Sequence, residues 1–391
     1  MPNRGAAMTF AQFPIDRLPS RAILRSAALC IAALGAAGAA LAAPAVQQVS
    51  GAMDHNGTIT ISGSGFGAKP SAAPVVWDNA TASSLSNVWT GAWPDKLPGY
   101  NTGYYAPMRN IDLPHSHDTR YIAGAHAAST GADSGYAVMV FKAIQAPALP
   151  YFIYASWYQR ADDQWHFGGD NNFKTFDYST GTEPYAQQSW YTAYGPPHPA
   201  SASDTAQQWT YEAGTPLSNP DQNGHNAWWG NAVNPMGGSW SKVEISIRVS
   251  SGQDGYVKVS ENGRSVVSYS GVTDNWGGSQ RTISVGGYAR MQGYTSNWRY
   301  FDDIYVDTTL QRVVLADKPV LSQASIIEPQ IPTSWSDGSI TATVNLGKFT
   351  QGQTAYLFVV DASGTPSATG QAVTAGGNAF MPSAPSGVAV H

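Results

Sequence analysis

The stretch Phe301–Asp307, FDDIYVD, decides how the chain is read. Four β-forming residues, Phe301, Ile304, Tyr305 and Val306, surround an acidic pair, Asp302 and Asp303. The stretch closes a series of short apolar–polar alternations that begins near Tyr136, and none of these has a helical period. Working outward, Trp240–Val249 alternates most cleanly. Val243, Ile245, Ile247 and Val249 fall on one face, and Lys242, Glu244, Ser246 and Arg248 on the other. Glu261-Asn262-Gly263-Arg264 signals a hairpin, because Asn-Gly supplies the positive φ angles of a tight turn. Further strands are expected over 136–144, 151–160, 165–178, 208–212, 256–260, 265–269 and 283–289. Between Gly181 and Gly238 the pattern gives way to Pro, Gly, Asn and Ser with many aromatics, which reads as long loops. The fold class expected is all-β, a two-sheet sandwich.

FDDIYVD resembles the aromatic-Asp-Asp-apolar-Tyr/Trp-apolar-Asp strand that often ends concanavalin A-like lectin/glucanase jelly rolls. That superfamily holds binding modules, hydrolases and lyases, so the resemblance implies a surface for glycans and leaves the chemistry open. A second resemblance lies nearer the N-terminus. Gly57–Lys69, GTITISGSGFGAK, followed by Pro74–Asp78, PVVWD, is similar to the front half of an IPT/TIG-type immunoglobulin-like domain. Its later strands are matched by Pro332–Val344, PTSWSDGSITATV, and Thr354–Asp361, TAYLFVVD. Each half alone is too small to enclose a core, and together they have immunoglobulin size. The expectation is a signal peptide over 1–42, a split IPT/TIG-like domain over 43–79 plus 318–374, a jelly roll over 80–317 inserted in it, and a flexible tail over 375–391. The competing arrangement pairs the N-terminal strands with the edge of the jelly roll itself.

Only 12% of the residues are charged, while glycines number 40 and aromatics make up 12%. This balance is usual for extracellular β-proteins, and the aromatics argue against a disordered chain. The N-terminus carries Arg4, Arg17, Arg21 and Arg25 before an apolar run from Ala27 to Ala43, with the small residues of a cleavage site at Ala40-Leu41-Ala42. An uncleaved membrane anchor is the alternative. Cleavage removes the single cysteine, Cys30, four Arg and Asp16, so the chain goes from 21 basic and 26 acidic residues to 17 and 25, a net charge of −8. A secreted, acidic, cysteine-free protein is therefore expected, periplasmic or extracellular, with no nucleic acid partner and no membrane insertion after cleavage.

Glycan recognition needs aromatic faces that stack on a pyranose and polar groups that fix its hydroxyls. Trp190, Tyr191, Trp228 and Trp229 suit the first role. In an extended chain Trp228 and Trp229 cannot share a face. Arg160 and Lys174 suit the second, with Tyr158 and His166 beside them by strand parity. The alternative for this group is a solvated polar face with no ligand. Hydrolysis requires a carboxyl pair, and the Glu-x-Asp-x-x-Glu run of jelly-roll glucanases does not occur. Glu244 is the only Glu well inside an expected strand. Uronate β-elimination requires a group that neutralises the carboxylate and a Tyr or His that removes the C5 proton, for which Tyr158 and His166 are the catalytic candidates. The alginate-lyase strand motifs Arg-x-Glu-x-Arg and Tyr-Phe-Lys-Ala-Gly are absent. Asp302 and Asp303 are candidate ligands for a structural Ca²⁺, or else partners of backbone amides. The function expected is recognition of an extracellular polysaccharide, with a polysaccharide lyase and a structural or adhesive surface protein as rivals.

Overall fold

The alternation of residues 240–249 becomes the strand Ser241–Arg248. In the computed structural model, residues 43–79, 152–160, 240–273 and 302–378 are described with their side chains, and further strands between residues 109 and 301 by their backbone alone. Val243 lies opposite Trp157, Ile245 opposite Ala155, and Ile247 opposite Ile153. On the other flank Val259 and Val257 lie opposite Ile245 and Ile247. All eight side chains are buried, so period-two patterning has produced one continuous apolar layer. Asn262 and Gly263 have φ angles of 49° and 77°, as an Asn-Gly hairpin requires, and Glu261 pairs with Arg264 across them.

These strands belong to an eight-stranded antiparallel sheet. Its order is Arg264–Ser270, Tyr256–Glu261, Ser241–Arg248, Phe152–Ala161, Asn297–Asp307, Tyr121–His126 and Arg109–Ile111, with Val76–Asp78 also paired to Asn297–Asp307. FDDIYVD sits in the strand Asn297–Asp307 and contains a β-bulge. Asp302 lies opposite Tyr158 and Tyr305 opposite Ser156, three steps against two. Asp303 takes the extra place with φ 48°, a left-handed conformation that Asp tolerates better than most residues. The bulge resets the alternation, so that Asp302, Tyr305 and Asp307 share a face with Tyr158, Ser156 and Tyr154.

A seven-stranded sheet joins the two ends of the chain. Its order is Ala45–Gly51, Thr58–Ser64, Ser339–Thr343, Ile327–Trp335, Arg312–Ala316, Thr354–Val360 and Gln371–Thr374. The strand Ile327–Trp335 changes partner midway. Residues 327–330 pair with Arg312–Ala316, and residues 331–335 pair with Ser339–Thr343. Val49, Ile59, Ile61 and Phe66 thereby share one core with Val313, Leu315, Val344, Leu357 and Val359. The protein is all-β, with antiparallel sheets forming a sandwich. Among the described residues the one helical element is the 3-10 turn Leu321–Gln323, and no helix is long and apolar enough to cross a membrane.

Three elements differ from expectation. Arg312–Ala316, read as the end of the jelly roll, pairs within the seven-stranded sheet, and Val76–Asp78, read with the split domain, pairs within the eight-stranded one. Short apolar runs carry no mark of which sheet they join. In the stretch read as long loops around the expected strand 208–212, Trp190–Thr192 and Asn226–Trp229 are also strands and pair with Trp209–Glu212 in a three-stranded sheet. Residues 1–42, read as a signal peptide, together with His166, Lys174 and the end of the tail, lie outside the described residues.

Candidate functional site

The strand Phe152–Ala161 is buried on both faces between Ile153 and Gln159. One face belongs to the apolar layer already described. The other carries Tyr154, Ser156 and Tyr158, and residues of the C-terminal part of the chain cover it. The Tyr158 hydroxyl donates to Glu328 Oε1 at 2.8 Å. The Lys348 backbone amide donates to the same oxygen at 3.1 Å. The ammonium groups of Lys242 and Lys348 lie 5.0 Å and 4.8 Å from the centre of the Tyr158 ring. Lys242 Nζ also bonds the Ile327 carbonyl and stands 4.0 Å from Glu328 Oε2.

Beside this cluster Arg312 lies over Tyr154, with 4.3 Å from its guanidinium carbon to the ring centre. Asn345 Nδ2 donates to Asp303 Oδ2 at 3.2 Å. Lys69 Nζ donates to Asp307 Oδ2 at 2.7 Å, and the Tyr305 hydroxyl donates to the same oxygen at 3.0 Å. The decisive sequence stretch therefore lies along the seam where the eight-stranded sheet meets residues of the seven-stranded one.

Burial governs the electrostatics of this seam. It raises the Glu328 pKa, and Lys242, the Tyr158 hydroxyl and the Lys348 amide only partly oppose it. Burial raises the Asp307 pKa too, against the pull of Lys69. Burial, reinforced by Glu328, lifts the Tyr158 phenol well above the ordinary tyrosine range. Lys348 is pushed down by burial, with Glu328 opposing.

These placements correct the expectation for Tyr158. The sequence makes the side chain a candidate proton acceptor, should the chain carry out β-elimination. It is 2% exposed and is committed as a donor to Glu328. A phenol with a raised pKa holds its proton, and a polymer cannot reach it in this arrangement. Arg160 lies on the same face as Tyr158, at the strand's end and partly exposed. Its expected neighbour Lys174 and the second catalytic candidate His166 lie outside the described residues, so the pairing of Arg160 with them is not seen.

Asp302 Oδ1 accepts from the Asp303 amide at 2.8 Å, and Asp303 Oδ2 accepts from Asn345. Among the described residues no group of three or more His, Cys, Asp or Glu is arranged to hold a metal ion. Glu328 went unnoticed in the sequence because Pro329 and Pro332 follow it and disguise its strand. Lys69, Asn345 and Lys348 gave no signal either, since each is an isolated polar residue with no periodic pattern around it.

The aromatic candidates fall in the small sheet. Trp190 lies opposite Tyr211, which lies opposite Ala227. Thr192 lies opposite Trp209, which lies opposite Trp229. Tyr191 lies opposite Thr210, which lies opposite Trp228. Directly paired residues and those two apart share a face. Trp190, Trp209, Tyr211 and Trp229 are therefore on one face, and Tyr191 and Trp228 are on the other. Trp209 and Tyr211 were not singled out from sequence, because only the pairing of three separated segments brings them to the tryptophans.

No family model and no curated protein matches the chain. Among solved structures, it is similar to an endo-β-1,4-glucuronan lyase from the fungus Trichoderma reesei at 14% identity, covering 61% of this chain and 96% of that one with a TM-score of 0.44. It is similar to a marine PL-14 alginate lyase from Aplysia kurodai at 12% identity, covering 60% and 99% with a TM-score of 0.40. It is also similar to a structure of botulinum neurotoxin type C at 11% identity, covering 66% and 67% with a TM-score of 0.32. At these values the likenesses carry no argument about the chemistry of this chain.

Proposed function

We propose that the protein is a secreted polysaccharide-binding protein whose ligand lies along the face of Trp190, Trp209, Tyr211 and Trp229. One observation carries this reading: the register of the three-stranded sheet brings four aromatic residues from three separate segments to one face. Rows of aromatic rings on short strands suit a polymer of pyranoses, each of which offers an apolar ring face. On the same reading, residues 43–79 and the C-terminal strands form one split immunoglobulin-like domain, and the eight-stranded sheet belongs to a jelly roll inserted in it. The basic and apolar residues before Ala43 act as the secretion signal. The seam holds the two parts together through Tyr158, Glu328, Lys69 and Asp307.

Binding without turnover is favoured over a lyase because Tyr158, a candidate proton acceptor, is enclosed and hydrogen-bonded as a donor. The test is a glycan-array screen of the mature protein, combined with absorbance at the wavelength of unsaturated uronates. Retention of a polysaccharide with no rise in absorbance is expected. Release of unsaturated oligosaccharides from alginate or glucuronan would replace this reading with the lyase, and failure to retain any polysaccharide would favour the structural role.

A further inference from the structure

Where the covering of the eight-stranded sheet stops, a cleft of about 360 Å³ opens between that sheet and the C-terminal part of the chain. Its volume lies in the range of small-molecule sites. The sheet supplies one wall, including Glu244, Tyr256 and Lys258, and Leu310, Arg312 and the Ser363-Gly364 turn supply the other. We propose that this cleft binds a single acidic sugar unit, a uronate, through Arg312, Lys258 and Tyr256.

The charge pattern selects this ligand. Glu244 is already engaged. Tyr154 donates to its Oε1 at 2.6 Å, and the Ser260 hydroxyl donates to its Oε2 at 3.5 Å. The two cations of the lining keep donors to spare. Arg312 gives one Nη1 hydrogen to the Leu310 carbonyl at 2.9 Å, and among the described residues its Nε is buried with no hydrogen-bond partner. Lys258 is exposed, with its ammonium 5.0 Å from the centre of the half-buried Tyr256 ring. A guanidinium held over the Tyr154 ring, 4.3 Å from its centre, is pre-positioned to take a carboxylate.

Tyr256 offers a ring to the apolar face of a pyranose, and serine hydroxyls around the lining suit its remaining hydroxyls. A dianionic group such as phosphate is disfavoured, because Glu244 carries a negative charge in the same wall. The cleft shares no residue with the aromatic face of the small sheet, so it stands or falls separately from polysaccharide binding there.

The test is isothermal titration of the intact protein with digalacturonate and with cellobiose as the neutral control. Saturable binding of digalacturonate is expected, weakened by salt, with cellobiose bound at least about tenfold more weakly. Two exposed positions allow variants that leave the core untouched. Lys258→Glu reverses a charge of the site, and Ser265→Trp obstructs the lining. Each should reduce digalacturonate affinity about tenfold or more at unchanged melting temperature. Lys258→Gln serves if the reversal disturbs folding. Trp229→Ala should leave the affinity unchanged. Absence of saturable binding, equal binding of cellobiose, indifference to both substitutions, or loss with Trp229→Ala would overturn the proposal.

Discussion

Replacing Tyr158 by Phe separates a structural tyrosine from a catalytic one. The substitution keeps the buried ring and removes one hydroxyl. That hydroxyl donates to Glu328 Oε1 at 2.8 Å, with both side chains out of contact with water. A hydrogen bond to a charged acceptor contributes about 1.5–3 kcal/mol. Glu328 Oε1 would keep the Lys348 amide at 3.1 Å, so the loss should fall within that range rather than above it. For a cooperative unit of this size, each kcal/mol moves the melting temperature by about 2–4 °C. Tyr158→Phe should therefore melt about 3–12 °C lower by calorimetry. Polysaccharide retention below the transition should be unchanged. An unaltered melting temperature together with a loss of binding or turnover would place Tyr158 in contact with ligand and refute the argument.

Two further outcomes follow from the same seam. Glu328 and Asp307 have raised pKa values in the folded protein, so the stability linked to their protons is fully present below the ordinary carboxylate range and is lost as pH rises through the raised values. Urea unfolding between about pH 4 and pH 8 should show this loss, and Glu328→Gln should flatten the slope without abolishing it, because Asp307 remains. A steeper slope in Glu328→Gln would mean that Lys242 and Lys348 outweigh burial. Lys69→Met strands Asp307 as a buried, unpaired carboxylate and should destabilise by about 3–5 kcal/mol, with much of the loss recovered in Lys69→Met/Asp307→Asn; equal destabilisation of the single and double variants would show that the ion pair is not what holds this point.

What could be read in the sequence was whatever depends on a period or a turn. Val243, Ile245 and Ile247 announced a strand and its buried face, and Asn262-Gly263 announced the hairpin. The polar face of the same strand carries no sign of a cover, yet Lys242 and its neighbour Tyr158 are buried. Alternation distinguishes two faces of a sheet and says nothing of what packs on the second. The acidic pair of FDDIYVD was legible as special, but not its partner. Asn345 is 42 residues from Asp303, and Lys69 is 238 from Asp307. Only the fold makes such pairs neighbours. The same holds for the aromatic face. Trp190, Trp229 and the split of the Trp228-Trp229 pair followed from residue type and strand geometry, whereas Trp209 and Tyr211 required the register.

The measurement that bears most directly on the proposed function is the affinity of single tryptophan variants for the polysaccharide retained on the array, by affinity electrophoresis. Trp190→Ala and Trp229→Ala each remove an aromatic from the proposed binding face, and Trp228→Ala removes one from the opposite face. The account predicts losses of about tenfold for the first two and little change for the third, with all three equally folded by circular dichroism. Equal losses for Trp228→Ala and Trp229→Ala, or full affinity in Trp190→Ala and Trp229→Ala, would contradict it.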